Sequence, residues 1–226
     1  MEGLFVTFEG LEGGGKTTVI KLVADQLRHE SYPVVSTREP GGTEFSELAR
    51  TKLFSIVNEL LTSSYIGPDT IPDIFFSLWF EAQASTVEEV IKPALEKQKV
   101  VLCDRFSDTP LAIFYHGAKR NLDEILYLNE MTTQDILPDV TLWFDLPLEL
   151  GLTRKGFINK PGQMDLYNEQ TVDFYREIER GYRQLFNSDD LNKWKRIDAT
   201  KTVDVVKKEA MKEILEAIRA KGIRKI

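Results

Sequence analysis

The segment Phe5-Val-Thr-Phe-Glu-Gly-Leu-Glu-Gly-Gly-Gly-Lys-Thr-Thr18 constrains this chain more than any other stretch of it. Apolar and β-branched residues of the kind that form a buried strand lead into a glycine-rich turn, and the turn opens directly on the helical pattern of residues 17–27. Within it Gly10, Gly15, Lys16 and Thr17 satisfy GxxxxGK[ST], a loop whose successive backbone N–H groups point inward around phosphate oxygens. Side chains beyond Cα would block that approach, so Gly13 and Gly14 fit the same logic. The expected roles follow from reach and charge. Lys16 extends to the β- and γ-phosphates of ATP, Thr17 ligates Mg²⁺, and the helix N-terminus adds its dipole. Leu11, Glu12 and Thr18 complete the expected ATP-binding run of residues 10–18.

Beyond this opening, apolar strand-like runs alternate with helical patterns. Short strands are expected at residues 32–37, 100–103, 140–145 and 194–197. Between them lie helical patterns at 43–61, with Thr43 as its cap, and at 73–95, where Pro93 bends or ends it. Further helices are expected at 109–117, 122–136, 147–155, 169–186 and 203–220. Strands that alternate with helices imply a parallel sheet covered on both faces, because right-handed crossovers place the helices there. Two intervals break the pattern. Residues 62–72 are expected as a surface loop, and residues 156–168, preceded by Lys155, as a lid that folds over the triphosphate and excludes water. The 226 residues are expected to form a single domain.

A formal net charge of -7 makes nucleic acid and anionic membranes poor partners, so any polyanionic ligand must be held by a local cluster of cations. No apolar run approaches a membrane span, and the default location is cytoplasmic. The one cysteine, Cys103, reads as a buried strand position rather than a reactive thiol.

A phosphate-loop site needs a carboxylate at a neighbouring strand end to hold Mg²⁺. Asp104 is the first candidate and Asp145 the second. Phosphoryl transfer between nucleotides proceeds through positioning and cations around the moving group. Arg38 and Arg105 each stand just past a strand end, and Arg154 precedes the 156–168 segment. Their planar guanidinium groups can fork onto phosphate oxygens.

Glu9-Gly-Leu-Glu-Gly-Gly-Gly-Lys-Thr-Thr18, Thr37-Arg-Glu-Pro-Gly-Gly-Thr43, Val90-Ile-Lys-Pro-Ala-Leu95, Asp104-Arg-Phe106, Pro138-Asp139 and Ile197-Asp-Ala-Thr200 together resemble bacterial-type thymidylate kinase, in order along nearly the whole chain. The resemblance implies an α/β P-loop NTPase fold with a five-stranded parallel sheet, transfer of the ATP γ-phosphate to dTMP with Mg²⁺, and a homodimer. It also implies residue roles. Arg38, beside Pro40, looks like the grip on the acceptor monophosphate, and Arg105 like the arginine bridging donor and acceptor phosphates. Glu12 falls near the acceptor sugar's 3′-hydroxyl, and Trp79 takes the place of the ring that stacks on thymine. Phe106, Thr109 and Tyr167 match further acceptor positions, and Asp198, Ala199 and Thr200 resemble the loop beside the donor adenine.

The departures are specific. Gln83 stands where the family usually has an arginine that hydrogen-bonds the thymine edge; its amide still offers a donor and an acceptor. Pro110 is not typical, and Ile113-Phe-Tyr-His-Gly117 departs from the usual run by an apparent two-residue insertion, which leaves His116 without a catalytic role. One alternative is therefore another, or a broader, deoxynucleoside monophosphate kinase. A DNA-partitioning ATPase is an alternative of a different class, but its signature lysine is replaced here by Leu11.

Overall fold

The computed structural model describes residues 3–62, 73–156, 169–189 and 193–226. Beyond Thr62 and Gly156, the expected surface loop at 62–72 and the expected lid at 156–168, with Tyr167, lie outside the described residues.

The elements run β1 (Leu4–Glu9), α1 (Lys16–His29), β2 (Val34–Arg38), α2 (Glu44–Thr62), α3 (Asp73–Thr86), a π-helical segment π1 (Val87–Ile91), α4 (Lys92–Glu96), β3 (Val100–Asp104), α5 (Asp108–Pro110), a second π-helical segment π2 (Leu111–Gly117), α6 (Leu122–Thr133), β4 (Val140–Asp145), α7 (Leu148–Arg154), α8 (Glu169–Asn187), β5 (Trp194–Asp198) and α9 (Val203–Lys221). The strands hydrogen-bond in the order β2-β3-β1-β4-β5, all parallel. This is the α/β sheet that the alternating pattern implies, built as a P-loop NTPase fold.

Strand alternation distributes the core to two faces. Leu4, Val6 and Phe8 of β1, Val100 and Leu102 of β3, and Leu142 and Phe144 of β4 pack with α1 and α9 through Val23, Leu27, Ala210 and Ile214. Their sequence neighbours point the other way. Phe5, Val101 and Cys103 meet Val87 and Ile91 of π1, while Trp143 meets Ile178 and Tyr182 of α8. Each fully buried aliphatic or aromatic side chain contributes about 1.5–3 kcal/mol over its exposed form, which is why the central strands read as continuous apolar runs.

Two expected helices differ in pitch. The helix expected over 73–95 passes through π1, where the Lys92 N–H bonds the Val87 carbonyl five residues back. Pro93 explains the widened turn: it has no N–H for the carbonyl of Glu89, and its ring would collide with that carbonyl in a regular helix. The helix expected over 109–117 is mostly π2, with the Ala118 N–H on the Ile113 carbonyl. A π segment accommodates extra residues without changing where a helix begins and ends, and π2 covers the stretch where the resemblance implies an insertion. It lies close on α8: a Cβ on Gly117 would come 2.7 Å from the Phe174 ring, and one on Gly181 equally near His116. The helix expected to run to 136 stops at Thr133, because Gln134 and Asp135 turn into the left-handed region.

Candidate active site

Parallel strands end together, and ligands of open α/β sheets bind beyond their carboxyl ends. Here Phe8 of β1 and Arg38 of β2 are both in register with Asp104 of β3, so the loop after β1 opens beside Arg38 and Asp104. The loop itself is held backbone to backbone. A Cβ on Gly10 would stand 2.6 Å from the Phe144 carbonyl oxygen, and one on Gly13 would stand 2.4 Å from that of Gly151 in α7. Both glycines have positive φ, 127° and 76°. Gly13 therefore serves both the loop's curvature and its close seat on α7.

Gly15, in the left-handed region, precedes α1 as its N-cap and offers no side-chain cap. The helix's first N–H groups face the loop's mouth, an arrangement that suits an anion. Lys16 is buried, and its Nζ donates to the carbonyls of Gly10 at 2.9 Å and Leu11 at 2.8 Å. Burial, and after it the Arg105 guanidinium, pulls its pKa down to about 7. Thr17 donates its hydroxyl proton to Asp104 Oδ2 at 2.5 Å. This hydroxyl and carboxylate form a hard-oxygen pair at the loop's edge, the donor chemistry that Mg²⁺ prefers.

Arg38 presents its fork to Glu47 of α2, with Nε at 3.2 Å and Nη2 at 2.6 Å from the two carboxylate oxygens. The Arg38 hydrogen bond, against a smaller effect of burial, keeps the Glu47 carboxyl below its usual range. Thr43 caps α2 as expected, accepting from the Ser46 N–H at 3.0 Å. Arg50 donates to the Pro40 carbonyl at 2.9 Å, so two arginines flank one glutamate beside Asp104.

Arg154 is brought to the donor side. Its Nη1 bonds the Ala199 carbonyl at 2.8 Å and the Gly13 carbonyl at 3.4 Å, and Nη2 lies 3.4 Å from the Thr200 carbonyl. It thereby ties the phosphate loop to the turn after β5. Asp198 closes that turn by accepting from the Thr200 N–H and hydroxyl. Glu12 is partly exposed, with Lys155 Nζ at 3.6 Å. The second metal candidate, Asp145, is taken up elsewhere. Arg196 reaches its Oδ2 through Nε and Nη2, both at 2.7 Å, and Arg183 stands at 3.7 Å. Two cations already balance that carboxylate, which leaves Asp104 as the strand-end carboxylate beside Thr17.

Sequence reasoning missed the group that joins these parts. Glu9, the fully buried last residue of β1, accepts from the Phe106 N–H at 2.7 Å, the Thr109 hydroxyl at 2.6 Å and the Tyr182 hydroxyl at 2.9 Å. Burial raises its pKa, and Arg105 opposes that rise. A carboxylate ending an otherwise apolar strand, next to the first glycine of the loop, was the available signal. Tyr182 gave no signal, because it sits on the apolar stripe of α8 like any core residue.

The sequence profile described as thymidylate kinase matches residues 8–210. The chain belongs to the thymidylate kinase family. Thymidylate kinase of Bacillus licheniformis is 36% identical over 221 residues, covering 97% of this chain and 98% of its own length. That of Geotalea uraniireducens is 40% identical over 189 residues, or 81% of this chain and 83% of its own. The crystal structure of thymidylate kinase from Ehrlichia chaffeensis superposes with a TM-score of 0.68, covering 95% of this chain and all of that one, at 24% identity. The family places this chain among the ATP-dependent nucleoside monophosphate kinases.

Against the roles that the thymidylate kinase resemblance implies, the acceptor-side residues sort into two groups. Trp79 lies between Phe75 and Phe114, edge-on to the latter at 5.8 Å, and its buried indole N–H has no partner among the described residues. Thr109 is buried on Glu9. Phe106 faces the core instead of the cleft: its ring meets Phe5 edge-on at 4.8 Å, and only its N–H turns toward Glu9. Gln83 is fully buried, with Nε2 donating to Glu39 at 3.0 Å and Oε1 accepting from Thr132 at 2.7 Å. Glu39 itself is held well above the usual carboxylate range by burial, although the Gln83 bond works against it. Cys103 is buried in β3 as expected, and burial pushes its thiol well up, away from the reactive thiolate.

Proposed function

We propose that this chain, as a thymidylate kinase, transfers the γ-phosphoryl group of ATP to dTMP in a site shared by the phosphate loop and the ends of β2 and β3. The supporting observation is the strand register that sets Arg38 and Asp104 side by side next to the loop of Lys16. In this reading the N–H groups of residues 13–18 and Lys16 hold the donor's phosphates. Thr17 and Asp104 would hold Mg²⁺, which when bound supplies positive charge to the donor phosphates. Arg38 takes the acceptor phosphate. Glu47 keeps its fork extended, and Arg50 leaves the group a net positive charge. Arg105 stands between the two nucleotides, Glu12 lies toward the acceptor sugar, and Trp79 gives the base a flat apolar wall. Asp198, Ala199 and Thr200 border the donor base, with Arg154 fixing them to the loop.

Gln83 favours a second reading of the acceptor. With its amide engaged by Glu39 and Thr132, discrimination among pyrimidines rests more on shape than on hydrogen bonds, and a broader deoxynucleoside monophosphate kinase results. A panel of nucleoside monophosphates assayed for ADP release with Mg²⁺-ATP separates the two. dTMP is expected to turn over fastest. Comparable rates with dCMP or dUMP would favour the broader enzyme, and no release with any acceptor would refute the assignment.

The partner chain in this reading is a second copy. Phe45 and Leu48 on α2, Ile74 on α3, and Tyr127 and Met131 on α6 are exposed, and α3 packs against both α2 and α6. Large apolar side chains gathered on adjacent helices mark an interaction surface. Sedimentation is expected to give twice the 25.9 kDa chain mass; a single-chain mass would exclude the homodimer. Among the described residues no helix is long and apolar enough to cross a membrane, which is compatible with a cytoplasmic enzyme.

A further inference from the structure

Arg105 has an unusual foothold. Its backbone is left-handed, φ 74°, a conformation disfavoured for any side chain beyond glycine, and its N–H donates to the Phe8 carbonyl at 3.0 Å. The turn launches the side chain back over the phosphate loop. There its Nη1 meets the Gly10 carbonyl at 3.2 Å, the Thr109 hydroxyl at 3.4 Å and the Tyr182 hydroxyl at 3.1 Å. Among the described residues Nε and Nη2 make no hydrogen bond, so one corner of the guanidinium is tethered while the other donors face away from the tether.

Tyr182 is the element of this tether that comes from farthest away. It lies on α8 with its ring buried among Leu11, Trp143 and Ile178, and its hydroxyl proton goes to Glu9 Oε2 at 2.9 Å. A lone pair that remains on its oxygen accepts from Arg105 Nη1 at 3.1 Å, while the Thr109 oxygen lies 3.0 Å away with its own proton already given to Glu9. The proton count fixes the direction of the chain. Arginine can only donate, and Glu9 accepts from three surrounding donors, so the tyrosine oxygen passes the hydrogen bond from one to the other. We propose that Tyr182 is a positioning residue for phosphoryl transfer, holding Arg105 against Glu9 so that the guanidinium enters the reaction already oriented. A long arginine side chain otherwise loses its rotamer freedom when it binds phosphate, and a tether built into the fold removes that cost in advance. This inference rests on the reading of Arg105 as the group between the two nucleotides.

Tyr182→Phe keeps the ring in its packing and removes only the oxygen. It is expected to lower kcat about ten- to hundredfold, the scale on which a small misplacement of a reacting partner acts, with the KM for ATP changed less than about twofold. Arg105→Lys, which keeps the charge but has no fork for the tyrosine oxygen, should lower kcat as well. The double variant should then be no slower than Arg105→Lys alone, because the hydroxyl acts only through the arginine. All rates are compared well below each variant's own melting midpoint, so that a loss of stability does not enter. A Tyr182→Phe enzyme with unchanged kcat, one that raises KM alone, or losses that multiply in the double variant would each overturn the proposal. Arg105→Ala with full activity would instead refute the reading of Arg105 itself, and that result is separable from the tyrosine's.

Discussion

Lys16→Ala should lower kcat/KM for ATP by about 10²- to 10³-fold, the size of losing one preorganised donor to a developing anion. The free enzyme shows why the effect is large. Nζ is already buried and aimed by the carbonyls of Gly10 and Leu11, so little reorganisation is needed when phosphate replaces them. The same burial, with Arg105 nearby, holds the ammonium's pKa at about 7. A bound polyphosphate adds negative charge and must raise that value. ATP binding is therefore expected to take up a proton between roughly pH 7 and 9 and to take up almost none below about pH 6, where Lys16 is already charged. Calorimetry in buffers of different ionisation enthalpy reads this directly. In Lys16→Ala the uptake should vanish along with the activity. Full turnover in the variant, or proton release on binding, would dismiss Lys16 as the phosphate-binding lysine.

Asp104→Asn is the second large effect. The substitution keeps the shape of the side chain, and the backbone bonds from Glu39 N–H to the Asp104 carbonyl and across β1 and β2 are untouched, so the melting midpoint should hardly move. What changes is the charge beside Thr17. With a neutral amide in place of the carboxylate, the Mg²⁺ concentration for half-maximal rate should rise at least about tenfold, and the rate at saturating Mg²⁺ should fall on the order of 10²-fold. A magnesium titration of both enzymes decides it. Superimposable titrations would move the metal to another carboxylate. Asp145 is a poor substitute, since Arg196 and Arg183 already surround it.

How much of this was legible beforehand depends on how local each feature is. The strand, loop and helix around Lys16 are contiguous, and β-branched runs, glycines with positive φ and a capping Thr43 act within a few residues of one another. The order of strands and helices followed for the same reason. Helix pitch was less visible. Pro93 announced an interruption, but the pattern of residues 111–117 has no proline or glycine before its end to mark a π segment. Gln83 shows the limit more sharply. Its amide looked available to read a base, yet packing of α3 against α6 and the end of β2 delivers Thr132 and Glu39 to both of its ends. Phe106 likewise looked like an acceptor-side residue beside Arg105, and the left-handed turn at Arg105, with the Phe106 N–H on Glu9, leaves its ring against Phe5 in the core.

By itself the sequence determined the phosphate-binding loop, the parallel α/β sheet, the identities of Lys16, Arg38, Asp104 and Arg105 as charged groups and of Thr17 as a hydroxyl at its carboxyl end, and the family. Only the tertiary structure decided which of these groups touch. Glu9 and Tyr182 are 173 positions apart and meet at 2.9 Å, Arg154 joins two loops, and Asp145 is claimed by Arg196. The reason is physical. Backbone conformation and periodic burial depend on residues within a turn or two, whereas a contact between side chains on different elements depends on sheet register and on how helices settle over it. No short stretch of chain contains that information.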